Sequence, residues 1–172
     1  MAKLLLVSNR VPWVVASVGG RGVLKPSSGG LATALGGTHA RGETLWVGWP
    51  GDLSGLDAEG RTAILDELRA QRIIPVELSS EEVERYYEGF SNGVLWPLFH
   101  YLLDKVRLDT DQDWDAYAAV NQRFAQAAAE CAEPGDSVWI HDYQLMLVPR
   151  FLRELRPDLR IGFFLHIPFP AY

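Results

Sequence analysis

The chain has 172 residues, of which 48% are hydrophobic, enough for one compact domain with its own core. With 22 acidic and 16 basic side chains, the formal net charge is -6, which argues against a general surface for nucleic acid or anionic membranes. The single cysteine, Cys131, excludes an intrachain disulfide framework and a cysteine-based zinc site, so we expect a cytoplasmic protein.

The N-terminal apolar run covers only residues 4–7 and is followed by polar Ser8, Asn9 and Arg10. It is too short for a signal peptide, and no stretch approaches the roughly 20 apolar residues of a membrane span. We expect a buried strand over residues 3–8. Further on, "SSGGLATAL" places a Gly-Gly pair before a helix, which is either a phosphate-binding backbone turn or an ordinary turn.

The middle of the chain alternates aromatic loops with regular elements. The segments "LWVGWPG" and "YYEGFSNGVLWPLFHY" combine aromatic residues with glycine and proline, so their rings either pack in the core or line a sugar site. Periodicity predicts helices over residues 58–71 and 113–133 and a strand over residues 73–78. The motif "SSEE" predicts the start of another helix.

The last third reads as strand, helix and strand over residues 137–141, 148–155 and 160–166. The strands are continuously apolar, which indicates a parallel sheet covered on both faces. We therefore predict an α/β, Rossmann-like domain with a mainly parallel sheet flanked by helices. The chain stops directly after a predicted core strand, so we expect a fragment.

Polar residues follow three of the predicted strands, and parallel strands present their carboxyl ends at one edge of the sheet. Arg10 is suited either to a phosphate or to a surface salt bridge. Asp142 could accept hydrogen bonds from sugar hydroxyls or cap the next helix. His166 could donate to a sugar or a phosphate, or be a structural histidine. These residues are expected to converge.

Several long blocks, in order along the whole chain, resemble the N-terminal half of the trehalose-6-phosphate synthase family. The most specific are "FSNGVLWPLFHY", "WIHDYQL" and "GFFLHIPFP". The resemblance implies that residues 1–172 are the N-terminal acceptor-binding domain of a two-domain GT-B glycosyltransferase. It also implies that a C-terminal domain that binds the nucleotide sugar is absent.

The resemblance also implies site residues. Those matching the family's acceptor site for glucose 6-phosphate are Arg10, Trp49, Tyr87, Trp96 and Asp142, with Trp49 chosen over Trp46. Those matching its donor site for UDP-glucose are Gly29, Gly30 and His166. Asp142 and His166 are the implied catalytic residues, and no role is assigned to His141.

The implied activity is transfer of glucose from UDP-glucose to glucose 6-phosphate with retention, giving α,α-trehalose 6-phosphate. No metal and no cofactor are implied, and neither a nucleic acid nor a membrane is an expected partner. The fragment alone should be inactive, and a homo-oligomer is left open for the intact protein. Two alternatives remain: a glucosylglycerol-phosphate synthase-like transferase, and a noncatalytic sugar-phosphate-binding regulatory subunit.

Overall fold

A five-stranded parallel sheet forms the centre of this computed structural model, which describes residues 3–27, 30, 35–37 and 44–170. The sheet order is β5-β4-β1-β6-β7, and β2 and β3 form a separate antiparallel hairpin. In chain order, the strands are β1 (Leu4–Arg10), β2 (Trp13–Val18), β3 (Arg21–Pro26), β4 (Thr44–Trp49), β5 (Ile73–Pro75), β6 (Ser137–His141) and β7 (Arg160–Phe164).

Helices cover the sheet, and a hydrophobic cluster lies on each of its faces. One cluster joins Leu5 of β1 to Phe124 and Leu152, and the other joins Leu6 to Ile64. The helices with described bounds are α1 (Ala58–Ala70), α2 (Ser80–Glu82), a π-helix (Val83–Leu95), α3 (Trp96–Phe99), α4 (Asp111–Cys131) and α5 (Val148–Leu155), with 3-10 turns at Leu103–Lys105 and Tyr143–Leu145. The predicted parallel α/β fold is confirmed.

No helix in the described ranges is long and apolar enough to cross a bilayer.

The predicted helix over residues 148–155 has the observed bounds of α5, and α4 begins and ends two residues before the predicted 113–133. The N-terminal strand continues past residue 8 to Arg10. The last strand ends at Phe164, before the predicted 166, and most of its residues are exposed. The prediction of a core strand there was wrong, because β6 is its one neighbour among the described strands.

Two strand regions differ from the sequence analysis. The aromatic segment that was expected as a loop forms β4, whose residues lie between β1 and β5 and are mostly buried. The β2–β3 hairpin was not predicted, although it carries a recognisable signal. Gly19 and Gly20 both have positive φ and join Val18 to Arg21, as a two-residue hairpin turn requires.

The segment around Tyr87 is helical. This agrees with the helix predicted to start at "SSEE" and not with the glycine-rich loop expected for "YYEGFSNGVLWPLFHY". It starts as predicted, with Ser79 in a capping box with Glu82, and then widens into the π-helix. Within it, the Ser91 hydroxyl donates to the carbonyl of Tyr86, five residues earlier. π-Helical geometry is rare and is found often at functional sites.

A β-bulge interrupts the ladder between β1 and β4. The strands pair residue by residue as far as Val7, and the next pair joins Arg10 to Trp49. Two residues of β1 therefore lie opposite Gly48 alone. A Cβ at Gly48 would lie 2.7 Å from the carbonyl oxygen of Ser8, closer than real Cβ contacts allow. The bulge thus depends on glycine at this position.

We expect Gly48→Ala to lower the free energy of unfolding by about 1–3 kcal/mol, because the added methyl group forces the bulge backbone to move. Urea denaturation measures the change. Gly162→Ala in β7 is the matched control, since its Cβ would make an ordinary contact of 3.7 Å with Trp139. Equal stability of the two variants would contradict the close approach at Gly48.

Candidate functional site

The candidate site lies at the carboxyl edge of the sheet, between β1 and β6. From β1 the sheet runs through β4 to β5 on one side and through β6 to β7 on the other. This reversal of strand order is the position at which open parallel sheets bind ligands. Arg10 ends β1, and Asp142 follows the last residue of β6. Arg10 and Asp142 therefore follow neighbouring parallel strands at the same edge of the sheet, where the polar clusters were expected to converge.

Arg10 lies across aromatic rings at this edge. Its guanidinium carbon is 4.4 Å from the ring centroid of Trp49 and 5.9 Å from that of Tyr87. Trp49 is 6% exposed, and its buried Nε1 has no hydrogen-bond partner in the described chain. No carboxylate of the described residues forms a salt bridge with Arg10. The salt-bridge alternative therefore lacks a partner there.

The bulge residues hold Arg10 in place. The Ser8 hydroxyl donates to the carbonyl oxygen of Arg10 at 2.7 Å and accepts from Trp46 Nε1 at 2.7 Å. Asn9 Oδ1 accepts from the Tyr86 hydroxyl at 3.0 Å. Trp46 belongs to the hydrophobic cluster on the opposite face of the sheet from Trp49. The structure thus places Trp49, rather than Trp46, beside Arg10.

Asp142 has a strained backbone and a fixed carboxylate. Its φ of 76° and ψ of 167° lie in a region that glycine adopts almost alone, at a cost of about 1–3 kcal/mol. Oδ1 accepts from the backbone N–H groups of Tyr143 at 3.0 Å and His166 at 3.2 Å. The capping alternative is therefore realised by Oδ1. No bond to Oδ2 occurs among the described residues, so this oxygen remains for a ligand.

His141 and His166 are paired beside Asp142. Nδ1 of His141 lies 3.0 Å from Nε2 of His166. His141 is 1% exposed, and its Nε2 has no partner within the described ranges, whereas His166 is exposed. Burial, together with the neighbouring His166, lowers the pKa of His141 to about 4. His141 is therefore neutral at physiological pH, and its link to the site is the hydrogen bond with His166.

A polar network from α4 supports the loop that follows β6. The Tyr117 hydroxyl donates to the carbonyl oxygen of Tyr143 at 2.7 Å and accepts from the N–H of Met146 at 3.2 Å. Asn121 donates to the carbonyl oxygen of Gln144 at 3.0 Å. These buried bonds satisfy backbone groups that an irregular loop would leave unpaired. These hydrogen bonds hold the loop that follows Asp142 against α4.

A second link joins this loop to the π-helix. The Tyr143 hydroxyl donates to Asn92 Oδ1 at 2.8 Å, and burial raises the pKa of Tyr143. Sequence reasoning missed Asn9, Asn92, Tyr143 and His141 as site residues. The adjacency of His141 and Tyr143 to Asp142 was visible in the sequence, but their partners lie at least 25 residues away.

Two predicted site residues, Trp96 and Gly30, have no described contact with this cluster. Trp96 is 39% exposed and stacks on His100, with 4.1 Å between ring centroids. Gly30 is an exposed helical residue, and a Cβ there would have no neighbour within 4 Å among the described residues. Gly29 lies outside the described residues.

No group of three His, Cys, Asp or Glu in the described ranges could hold a metal ion.

Residues 2–172 match glycosyltransferase family 20. The chain belongs to this family. It is 48% identical over 170 residues to a trehalose-6-phosphate synthase from Mycolicibacterium vanbaalenii, covering 98% of this chain and 34% of that protein. This family 20 chain therefore spans about a third of the length of that relative.

Solved structures of similar proteins agree with the fold of this family 20 chain. A UDP-forming α,α-trehalose-phosphate synthase from Burkholderia xenovorans, solved in complex with glucose 6-phosphate, is similar with a TM-score of 0.74 and 32% identity over 99% of this chain and 34% of that one. An E. coli structure, described as trehalose-6-phosphate bound with UDP-2-fluoro glucose, gives a TM-score of 0.71 and 32% identity over 98% and 34%.

We expect His141 to make the stability of the chain pH-dependent. Its folded pKa is depressed from 6.5 to about 4, so the unfolded chain takes up the proton first as the pH falls. The free energy of unfolding should therefore decrease from about pH 6.5 to about pH 4, by on the order of 3 kcal/mol. Urea denaturation across this range, compared with His141→Asn, isolates the contribution.

His141→Asn should lose this part of the pH dependence. His100→Asn is the control, because it removes a histidine that stacks on Trp96 and leaves the His141 pair intact. A wild-type slope in the His141→Asn variant would contradict the depressed pKa.

Proposed function

We propose that residues 1–172 are the N-terminal, acceptor-binding domain of a trehalose-6-phosphate synthase. The complete enzyme transfers glucose from UDP-glucose to the anomeric hydroxyl of glucose 6-phosphate, giving α,α-trehalose 6-phosphate and UDP with retention of configuration. Membership of family 20 and the names of the relatives support this proposal. Cytoplasmic location and assembly into a homo-oligomer stay predictions from the sequence.

The observation that carries the proposal is the pairing of Arg10 with Trp49. The guanidinium of Arg10 lies over the indole and forms no salt bridge with a carboxylate of the described residues. The buried Trp49 Nε1–H is an unsatisfied donor within the same part of the chain. Leaving such a donor unpaired costs about 1–3 kcal/mol, and in this proposal the bound phosphate would reach the indole edge and accept from it. A phosphate group suits the planar fork of the guanidinium.

Asp142 supplies the complementary function of an acceptor for sugar hydroxyls. Two backbone N–H groups fix Oδ1, so the carboxylate has one orientation and Oδ2 is left to accept. A phosphate clamp at Arg10 and a hydroxyl acceptor at Asp142 lie on opposite sides of the β1–β6 switch point. This arrangement suits a sugar phosphate, which has an anionic end and a hydroxylated end.

The proposed chemistry depends mainly on positioning. The bond between the glucosyl anomeric carbon and the β-phosphate oxygen breaks, and a bond to the anomeric hydroxyl oxygen of glucose 6-phosphate forms on the same face. The proton of that hydroxyl passes to the departing diphosphate. Arg10 and Asp142 would hold the acceptor for this step, and His166 would contact the glucosyl unit. Orientation and charge stabilisation of this kind supply large rate factors without an enzymic nucleophile.

Of the other predicted residues, Trp96 would line the acceptor site, and Tyr87, whose ring lies near Arg10, would contribute to the phosphate end. Gly29 and Gly30 would approach the donor diphosphate through their backbone. In this proposal, full turnover needs the donor-binding domain in addition to residues 1–172. Binding of the acceptor is therefore the direct test of this chain.

We expect glucose 6-phosphate to bind this chain more tightly than glucose, because the phosphate adds charge-assisted hydrogen bonds. Arg10→Ala should weaken glucose 6-phosphate binding about 10- to 100-fold and remove the preference over glucose. Trp49→Phe retains an aromatic ring but loses the Nε1–H donor, so it should also weaken glucose 6-phosphate binding. Isothermal titration calorimetry measures both effects.

Arg150→Ala is the matched control, since it removes an exposed arginine on α5 that pairs with Glu154. Glycerol 3-phosphate is the comparison ligand for the other transferase activity. Equal affinity of wild type and Arg10→Ala for glucose 6-phosphate would reject the phosphate clamp, and tighter binding of glycerol 3-phosphate would reject the glucose 6-phosphate assignment.

We expect Asp142→Asn in the complete enzyme to lower kcat/KM about ten- to a hundredfold. The amide oxygen of the asparagine can still accept from the N–H groups of Tyr143 and His166, so the fold is kept. The negative charge that accepts hydrogen bonds from the sugar hydroxyls is lost. Initial rates of UDP formation measure the effect. Asp115→Asn on the exposed side of α4 is the control, and equal rates for the two variants would contradict the role of Asp142.

A further inference from the structure

The hydrogen bond between two histidine rings has a direction that their surroundings define. Nδ1 of His141 lies 3.0 Å from Nε2 of His166, so one nitrogen carries a proton and the other presents a lone pair. The His141 ring is buried and contacts Trp139, with 4.5 Å between ring centroids. The His166 ring is exposed. The direction therefore decides which hydrogen-bonding group the exposed ring offers to a ligand.

The second nitrogen of His141 distinguishes the two directions. Nε2 of His141 is buried without a partner in the described part of the chain. If His166 donated, the proton of neutral His141 would be on Nε2, and a buried N–H would have no acceptor. If His141 donates from Nδ1, only a lone pair is left without a partner. Buried N–H groups without partners are rarer than buried acceptors without them, so the second arrangement is favoured.

Neutral His141 is consistent with its surroundings. Burial, with the adjacent His166 ring, lowers its pKa to about 4, so a single ring proton has to be placed at physiological pH. Other groups packed around the ring are Trp139 on the same strand and Asp142, whose Oδ1 is engaged by the N–H groups of Tyr143 and His166.

We propose that His141 is a positioning residue: it donates from Nδ1 to Nε2 of His166 and holds His166 in the tautomer that carries its proton on Nδ1. No hydrogen bond to His166 Nδ1 occurs among the described residues. This N–H is then the polar group that His166 presents at the carboxyl edge of the sheet. It is a neutral donor for an oxygen acceptor.

The orientation of His166 is fixed by its backbone as well as by its ring. Its N–H donates to Asp142 Oδ1 at 3.2 Å, and the N–H of Asp142 donates to the carbonyl oxygen of Phe164 at 2.8 Å. The rings of Phe164 and His166 are in contact, with 4.7 Å between centroids. His141 therefore acts on a residue whose position is already defined, and what it adds is the choice of tautomer.

The ligand class rests on the proposed function, whereas the tautomer follows from contacts within this chain. In a nucleotide-sugar transferase, the Nδ1–H of His166 would donate to a hydroxyl or phosphate oxygen of the nucleoside diphosphate sugar. A ring with its proton on Nε2 would offer a lone pair at the same point, which can accept from a hydroxyl but repels a phosphate oxygen.

Long-range 1H–15N correlation spectra of the chain, labelled with 15N-histidine, test the proposal at about pH 8, above the ordinary titration range of histidine. We expect protonated-type shifts for Nδ1 and unprotonated-type shifts for Nε2 in both His141 and His166. Single replacements of each histidine assign the signals. A wild-type spectrum with His166 protonated on Nε2 would overturn the proposal without any variant.

Two replacements of His141 separate the donor from simple packing. His141→Asn keeps an N–H donor near the position of Nδ1 and should retain the His166 tautomer, whereas His141→Leu should leave His166 exchanging between both forms. His100→Asn, which removes a histidine stacked on Trp96, should have no effect. Loss of the tautomer in His141→Asn, or its retention in a folded His141→Leu protein, would contradict the donor role.

Kinetics of the complete enzyme provide a second readout. Loss of one neutral hydrogen bond should lower kcat about five- to tenfold in His141→Leu, with recovery in His141→Asn and little change in affinity for glucose 6-phosphate. Failure of the Arg10-dependent binding would reject the proposed function and leave the tautomer result intact. The opposite tautomer with normal acceptor binding would reject the positioning role alone.

Discussion

The bulge at the end of β1 is the constraint on which the site depends. One extra residue in this strand shifts the ladder so that Arg10 pairs with Trp49, and Ser8 and Asn9 become buried. Both of these polar residues have hydrogen bonds, which offset the free-energy cost of their burial. Because β1 lies at the centre of the sheet, between β4 and β6, this local irregularity sets where the guanidinium of Arg10 lies relative to Asp142. Gly48 makes the shift sterically feasible.

Buried polar groups then determine which parts of the site are hydrogen-bonded within the chain and which are left to bind a ligand. Tyr117 and Asn121 donate to the carbonyl oxygens of Tyr143 and Gln144 in the loop after β6, so these backbone groups have partners within the chain. In contrast, Trp49 Nε1 and His141 Nε2 are buried atoms without partners in the described chain, and both belong to residues at the carboxyl edge of the sheet. The strained backbone of Asp142 is at the same edge. Buried polar atoms without partners and backbone strain are typical of sites that gain free energy when a ligand binds.

Much of the fold was predictable because its signals are local. Continuous apolar runs identified β1 and β6, and α5 was predicted from helical spacing with a proline in its first turn. The strand β4 was mistaken for a loop because glycine and tryptophan hide a short buried strand among turn-forming residues. The π-helix could not be predicted from periodicity, because its hydrogen bonds follow a different spacing. Its packing is also close, since a Cβ added at Gly89 would lie 2.5 Å from Oδ2 of Asp113.

The sequence by itself determined the family, the parallel α/β architecture and the residue types at the ends of the strands. These depend on apolar patterning and on motifs that are contiguous in the chain. Only the tertiary structure decided that Trp49 rather than Trp46 lies beside Arg10, since strand residues an odd number apart face opposite sides of a sheet. It also decided that His141 lies within hydrogen-bonding distance of His166, 25 residues away, because parallel pairing of β6 with β7 brings the two rings together. Contacts of this kind depend on strand order and register, which no local pattern specifies.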